Sequence, residues 1–254
     1  MRGTEALLTM LEERGVDTIF GYPGGSVLSI YNELLDSDIR HVLVRHEQCA
    51  AHMADGYARA KNVPGVCLAT SGPGTTNLVT GIATAYADSV PLIALTGQVA
   101  AGSLGQGAFQ EVDAYSLLMP ITKHSYRVLD VNRLPHAISE AWDICQMGRK
   151  GPVHIDMPVD QMGKDFPEAL IHEPYGVKPL TEDLTGVHEA VQWIRECERP
   201  LILVGGGAMD ASEEVMELAK LTGAPVVNTL MGMGIVPSSY PMNMGPLGLH
   251  GRLA

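Results

Sequence analysis

Short apolar runs alternate with stretches of helical spacing along most of the chain. Ala6, Leu7, Leu8 and Leu11 mark an N-terminal helix, with Thr4 placed to cap it and Gly15 to stop it. Thr18-Ile-Phe20 reads as a short buried strand, followed by the tight turn Gly21-Tyr-Pro-Gly-Gly25. Val27 to Leu35 has helical spacing. Ile39 to Val44 reads as a strand, and Gln48 to Lys61 as a helix rich in Ala. The cycle repeats with a strand over 65–70, the turn Ser71-Gly-Pro-Gly74 and a helix over 75–88. A third strand, Pro91 to Thr96, ends at Gly97-Gln98. Residues 100–110 are loop-like, with Phe109 the only large apolar group after Leu104. A strand over 122–128, a helix over 134–147 and a strand over 153–157 follow.

Several of these strands are continuous apolar runs rather than alternating ones. Strands of that kind are covered on both faces, so the pattern predicts an α/β fold with a parallel sheet over residues 1–163. Residues 164–183 carry Pro167, Pro174 and Pro179 among scattered charges and read as a linker. A second, Rossmann-like α/β pattern occupies 184–254: a helix over 184–196, a strand over 200–204, the turn Gly205-Gly-Gly207, a helix capped by Ser212, and a strand over 224–228. About two strands are visible there. An open two-stranded sheet exposes faces and edges that cost stability, so this domain is expected to be incomplete or covered by something else.

Composition narrows the class. Hydrophobic residues make up 46% and charged residues 18%, which suits a globular chain with a sizeable core. A net charge of −12 without a basic cluster argues against nucleic acid as a partner. Cys49, Cys67, Cys145 and Cys197 form no Cys-x-x-Cys, which argues against a disulfide framework or a zinc site and fits a reducing, cytoplasmic setting. No apolar run approaches the roughly 18 residues of a membrane span, and the amphipathic N-terminus, Met1 to Arg14, with Glu5, Glu12 and Glu13, does not read as a signal peptide.

The candidate chemistry gathers at strand ends. Glu47 stands where a strand gives way to a helix, the edge at which open α/β sheets bind ligands. Taken alone, a Glu in a first helical turn is explained by the macrodipole, at about 0.3–1 kcal/mol. His46-Glu47 is not a zincin motif, because Ala50 stands where the second His would be, so metal binding by this chain is not expected. Gly205-Gly-Gly207 fails the dinucleotide fingerprint because Asp210 stands at its last glycine position. Ser71 is not in a Gly-x-Ser-x-Gly elbow. Asn77, one turn after Pro73 on the same helix face, is equally a ligand contact or a satisfied core amide. What shifts the balance is the set. Tyr22-Pro-Gly-Gly25, Glu47, Ser71-Gly-Pro-Gly74 and Phe109-Gln110 all belong at ends of strands on one sheet edge.

That set resembles the catalytic large subunit of the acetolactate (acetohydroxyacid) synthase family of thiamine-diphosphate enzymes. The matching words are Gly21-Tyr-Pro-Gly-Gly25, Arg45-His-Glu-Gln48, Ala51-His-Met-Ala-Asp-Gly-Tyr-Ala-Arg59, Thr70-Ser-Gly-Pro-Gly-Thr-Thr-Asn-Leu78, Leu95-Thr-Gly-Gln-Val99, Ala108-Phe-Gln-Glu-Val-Asp113, Ile121-Thr-Lys-His124, Gly151-Pro-Val153 and Thr229-Leu-Met-Gly232. The resemblance implies a pyrimidine-binding domain, then part of a central domain of FAD-binding type. A diphosphate-binding domain that would carry the Mg2+ ligands is expected to lie outside these residues. It implies that Glu47 exchanges a proton with the cofactor's pyrimidine, on the way to decarboxylating pyruvate and joining the product to a second 2-keto acid, pyruvate or 2-oxobutyrate, in branched-chain amino-acid synthesis.

By the same resemblance, Tyr22, Pro23, Gly24, Gly25, Pro73, Asn77 and Gln110 touch the thiamine diphosphate. Gly25, Ser26, Phe109 and Gln110 border the substrate. A structural FAD would meet Arg149, Gly205, Gly206, Gly207, Thr229, Leu230, Leu249 and His250. Implied partners are further copies, in a homodimer or homotetramer, and a regulatory small subunit. The chain departs from the family's usual residues at Cys49, Ala100, Lys150 and Val159. Alternatives are a non-catalytic fragment or binding module, or another thiamine-diphosphate 2-keto-acid decarboxylase or oxidase.

Overall fold

A computed structural model describes residues 1–173, 175–178, 183–248 and 251. The chain divides into two compact units, Met1–Leu180 and Thr181–Ala254.

The first unit runs α1 (Gly3–Glu13), β1 (Thr18–Gly21), α2 (Leu28–Glu33), β2 (Arg40–Leu43), α3 (Glu47–Lys61), β3 (Gly65–Ala69), α4 (Pro73–Ala87), β4 (Leu92–Gln98), α5 (Ala114–Leu118), β5 (His124–Arg127), α6 (Leu134–Gln146), β6 (Pro152–Pro158) and α7 (Val159–Met162). Its six strands are all parallel, in the order β2-β1-β3-β4-β6-β5. Alternate side chains serve two cores. Ile19, Val66, Leu68, Ile93, Leu95, Val153 and Ile155 pack with α1, α2 and α6. Phe20, Cys67, Ala69, Leu92 and Ala94 pack with α3 and α4. Burial on both faces is why the central strands read as unbroken apolar runs.

The chain leaves β1 for β2 on one side, then returns past β1 to β3 on the other. The connections from β1 and β3 therefore diverge, and such a switch point opens a crevice at the carboxyl ends of the strands. Glu47 begins α3 directly after β2, on that edge.

Two expected helix caps are corrected. Thr4 is buried inside α1, whose cap is Arg2; the Arg2 backbone N–H donates to Glu5 Oε2 at 2.6 Å. The start is set by pairing, because Gly3 N donates to Lys164 O and Phe166 N to Met1 O. Residues 164–171, expected at the start of a linker, thus lie against α1, with Phe166 and Ile171 in its core. Ser212 is likewise the first helical residue and not a cap. The short α5 and α7 have too few residues to show a period.

The second unit contains α8 (Val187–Glu196), β7 (Ile202–Val204), α9 (Ser212–Thr222), β8 (Val226–Asn228) and β9 (Asn243–Pro246). Among the described residues its sheet has three parallel strands in the order β7-β8-β9, one more than the hydrophobic pattern showed. The extra strand, Asn-Met-Gly-Pro, has no apolar run, and a register shift interrupts its pairing. Among the described residues no helix is long and apolar enough to cross a membrane.

Candidate active site

The site is built from the ends of four strands, β1 to β4. After β2, Val44 N donates to Gly21 O at 3.1 Å, which keeps the chain beside β1. His46 then takes an extended conformation and caps α3, its Nδ1 accepting from Gln48 N at 3.1 Å. That is the work His46 does. Among the described residues no cluster of His, Cys, Asp and Glu could hold a metal ion.

Glu47 follows as the first residue of α3 and is 9% exposed. Helix α4 lies close against α3 because Gly81 has no side chain; a Cβ there would collide with the Cβ of Ala51. That close approach brings Asn77, one turn before Gly81, to the carboxylate. Asn77 Nδ2 donates to Glu47 Oε2 at 2.9 Å. Pro73 opens α4 one further turn back, with its missing N–H at a position that needs none.

The two glycine turns lock together beside this pair. The Ser26 and Thr70 hydroxyls lie 2.9 Å apart, and Ser71 N donates to Ser26 Oγ at 2.9 Å. Ser26 N also reaches Thr70 Oγ1, at 3.3 Å. Gly24 has to be glycine because a Cβ would lie 2.5 Å from Thr70 Cβ. Gly25, by contrast, is exposed and has nothing within 4 Å of where a Cβ would stand. Tyr22 is exposed on the same turn.

The loop between β4 and α5 closes the remaining side. Gly72 has φ +58°, and a Cβ on it would stand 2.6 Å from the carbonyl oxygen of Gln110. Gln110 itself is held in the left-handed region, at φ 57°. The neighbouring Glu111 carboxylate accepts from Gly105 N and from Ala108 N, bonds that hold its carboxyl below the usual range. Phe109, just before Gln110, is 88% exposed, an unusual position for an aromatic ring at the rim of a crevice.

So Tyr22, Pro23, Gly24, Gly25, Ser26, Glu47, Pro73, Asn77, Phe109 and Gln110 share one sheet edge. Arg149 does not join them. It precedes β6, at the opposite edge, where its guanidinium donates to Ser89 Oγ at 2.7 Å and to Ala87 O at 3.1 Å, closing the C-terminus of α4.

In the second unit the loops after β7 and β8 meet. A Cβ on Gly206 would lie 3.1 Å from that of Met231, and Gly205 faces Thr229. Thr229 N donates to Val204 O at 2.9 Å, and its hydroxyl accepts from Gly232 N at 3.2 Å. Gly207 and Leu230 lie on these same loops, Leu230 exposed. Leu249 and His250 lie outside the described residues.

A polar group is also buried between β4, β5 and β6, of which the quoted motifs held Thr96 and Gln98 but not Ser125, His154 or Asp156. His154 and Asp156 are fully buried on β6 beside Thr96, Gln98 and Ser125. His154 Nδ1 lies 2.8 Å from Ser125 Oγ and Nε2 lies 2.7 Å from Thr96 Oγ1. Burial, aided by nearby Arg127, lowers its pKa to about 3, so the ring is neutral. Thr96 donates its proton to Asp156 Oδ1 at 3.0 Å, so the Nε2 of His154 donates to Thr96 and Ser125 donates to Nδ1. The signal was present in Val-His-Ile-Asp-Met: polar residues at every second position of a central strand.

Residues 1–117 match the model of the thiamine pyrophosphate enzyme N-terminal TPP binding domain, and residues 187–254 that of the thiamine pyrophosphate enzyme central domain. The chain belongs to the thiamine pyrophosphate enzyme family. It is 49% identical over 268 residues to the probable acetolactate synthase large subunit of Methanocaldococcus jannaschii, covering 100% of this chain and 44% of that protein. It is 46% identical to the acetolactate synthase large subunit of Corynebacterium glutamicum (100% and 42% covered). With the acetolactate synthase isozyme 1 large subunit of Escherichia coli K12 the identity is 44% (98% and 45%). The chain thus spans under half the length of these relatives.

Proposed function

We propose that the gene product carrying this chain is an acetolactate synthase. It decarboxylates pyruvate and joins the two-carbon unit to a second 2-keto acid, pyruvate or 2-oxobutyrate, in branched-chain amino-acid synthesis. The observation that carries the reading is the Glu47–Asn77 pair at the sheet's switch point. Asn77 occupies Oε2, and among the described residues no hydrogen bond reaches Oε1. A buried carboxylate with one oxygen held and the other available suits a ring nitrogen that must exchange a proton.

When bound, thiamine diphosphate supplies an acidic ring carbon that serves as nucleophile toward the keto acid. The chain's own residues do the rest. Glu47 holds and moves the proton at Oε1, Asn77 fixes the carboxylate's orientation, and Pro73 packs beside the ring. Tyr22, Pro23, Gly24 and Gly25 border the cofactor; Gly25 and Ser26, with Phe109 and Gln110, border the keto acid.

In the same reading, residues 1–163 are the pyrimidine-binding domain, 164–183 the linker and 184–254 part of a central domain. Arg149 and the loops at Gly205–Gly207, Thr229–Leu230 and Leu249–His250 are assigned to a structural FAD. Mg2+ is assigned to a diphosphate-binding domain beyond these residues. Assembly as a homodimer or homotetramer with a regulatory small subunit, in the cytoplasm, completes the proposal; the large-subunit names of the relatives support the small-subunit part.

The test is an assay of the full-length gene product with pyruvate, thiamine diphosphate and Mg2+. Acetolactate is the expected product. Acetaldehyde without carboligation would place it among the decarboxylases. Absence of turnover alongside partner binding would make it a binding module.

A further inference from the structure

The loop over residues 99–113 presents Phe109 and Gln110, yet it is made largely of glycines and small residues. Its own secondary structure is one short turn, Ala101–Ser103. Such a segment opens easily unless its ends are tied down. Both ends are tied to one buried carboxylate. At the start, Val99 N donates to Gln98 Oε1 at 2.9 Å. At the end, Gln98 Nε2 donates to Val112 O at 2.9 Å, and Arg127 Nη2 to Asp113 Oδ1 at 2.5 Å. Gln98 and Arg127 both rest on Asp156. Gln98 Nε2 lies 3.2 Å from Asp156 Oδ2, and Arg127 Nε 3.0 Å from the same oxygen.

Asp156 is fully buried, as is Gln98, whereas the Asp113 carboxylate is largely exposed. A buried carboxylate is costly unless every lone pair is used. Here Thr96, Gln98 and Arg127 use them. The arrangement has a direction. One side, through Thr96, His154 and Ser125, stays inside the sheet. The other leads through Gln98 and Arg127 to the two stems of the loop. Hydrogen bonds to a charged group in a dry interior are the strong ones.

We propose that Asp156 is a positioning residue for the active site: through Gln98 and Arg127 it clamps both stems of the 99–113 loop and so holds Gln110 against Gly72 and Phe109 at the crevice rim. The link to catalysis rests on the site reading above; the clamp itself does not.

Three variants of the full-length gene product test it. Asp156→Asn keeps the volume, removes the charge and turns one acceptor oxygen into a donor facing two of the donors now bound there. Asp113→Asn keeps the cap on α5 and removes only the ion pair with Arg127. Ser125→Ala alters the network at the end that does not touch the loop. The readouts are amide hydrogen exchange by mass spectrometry and kcat/KM for pyruvate. The expected result is exchange in peptides spanning 99–113 that is roughly ten- to a hundredfold faster in Asp156→Asn and less so in Asp113→Asn. Peptides from β1 and β3 should stay protected, and kcat/KM should fall with the loop's protection. Ser125→Ala should leave both loop exchange and kcat/KM unchanged. Should Asp156→Asn fail to fold, Asp113→Asn decides. Unchanged loop exchange in the folded variants, or an equal rise throughout the sheet, overturns the clamp. A faster loop in a protein that makes no acetolactate supports the clamp and rejects only the assigned reaction.

Discussion

Asn77 Nδ2 lies 2.9 Å from Glu47 Oε2, joining the first turn of one helix to the second turn of the next. The contact fixes which oxygen of the carboxylate is engaged, and so which way the other points. On the proposed function, Asn77→Ala should therefore cost the full-length gene product about ten- to a hundredfold in kcat/KM, the range for a hydrogen bond to a charged group. Asn77→Asp should be worse than Ala, because two carboxylates at that distance resist ionising together. Steady-state kinetics with pyruvate give the ordering; equal rates for both variants would remove Asn77 from the site.

Two glycines of the same unit should behave in opposite ways. Gly81 sits where α4 touches Ala51 of α3, so Gly81→Ala overpacks the contact and should cost about 1–3 kcal/mol in denaturant unfolding. Gly25 has open space around it, so Gly25→Ala should change stability by no more than about 0.5 kcal/mol. If the turn borders the cofactor as proposed, Gly25→Ala should still weaken thiamine diphosphate binding, as read by calorimetry with Mg2+ present. A stable variant with unchanged affinity would move the cofactor off this turn.

His154 supplies a pH prediction. Its folded pKa is lowered to about 3 from an ordinary 6.5, chiefly by desolvation. The unfolded chain therefore takes a proton, as pH falls through 6.5, that the folded chain refuses. Stability attributable to this residue is fully present above about pH 6.5 and is lost progressively down to about pH 3. In NMR the His154 ring should not titrate between pH 8 and pH 4. A midpoint near 6 would show that water reaches the sheet interior.

Much of this was legible in the residues. The apolar runs of β3 and β4 announced a sheet covered on both faces, and the glycine turns marked the edge that carries the candidate site. Glu47 alone was not legible, since a helix dipole explains a first-turn Glu equally well; only its company on one edge singled it out. Among what escaped, three features show why. Strand β9 did, because Asn-Met-Gly-Pro carries no hydrophobic signal and is paired only by its neighbour. The start of α1 did, because pairing with Lys164 and Phe166 overrides the local preference for Thr4 as cap. The Asp156 group did, because its meaning depends on Gln98 and Arg127, far apart in the chain and brought together by strand order.

Exchange of the C2 proton of thiamine diphosphate bound to the full-length gene product tests the central claim most directly. Quenched-flow NMR of wild type and Glu47→Gln compares a carboxylate that can take a proton with an amide of the same shape. The account predicts exchange slower by about 10²–10⁴-fold in the variant, the range for a lost acid–base group. An exchange rate close to wild type would contradict it.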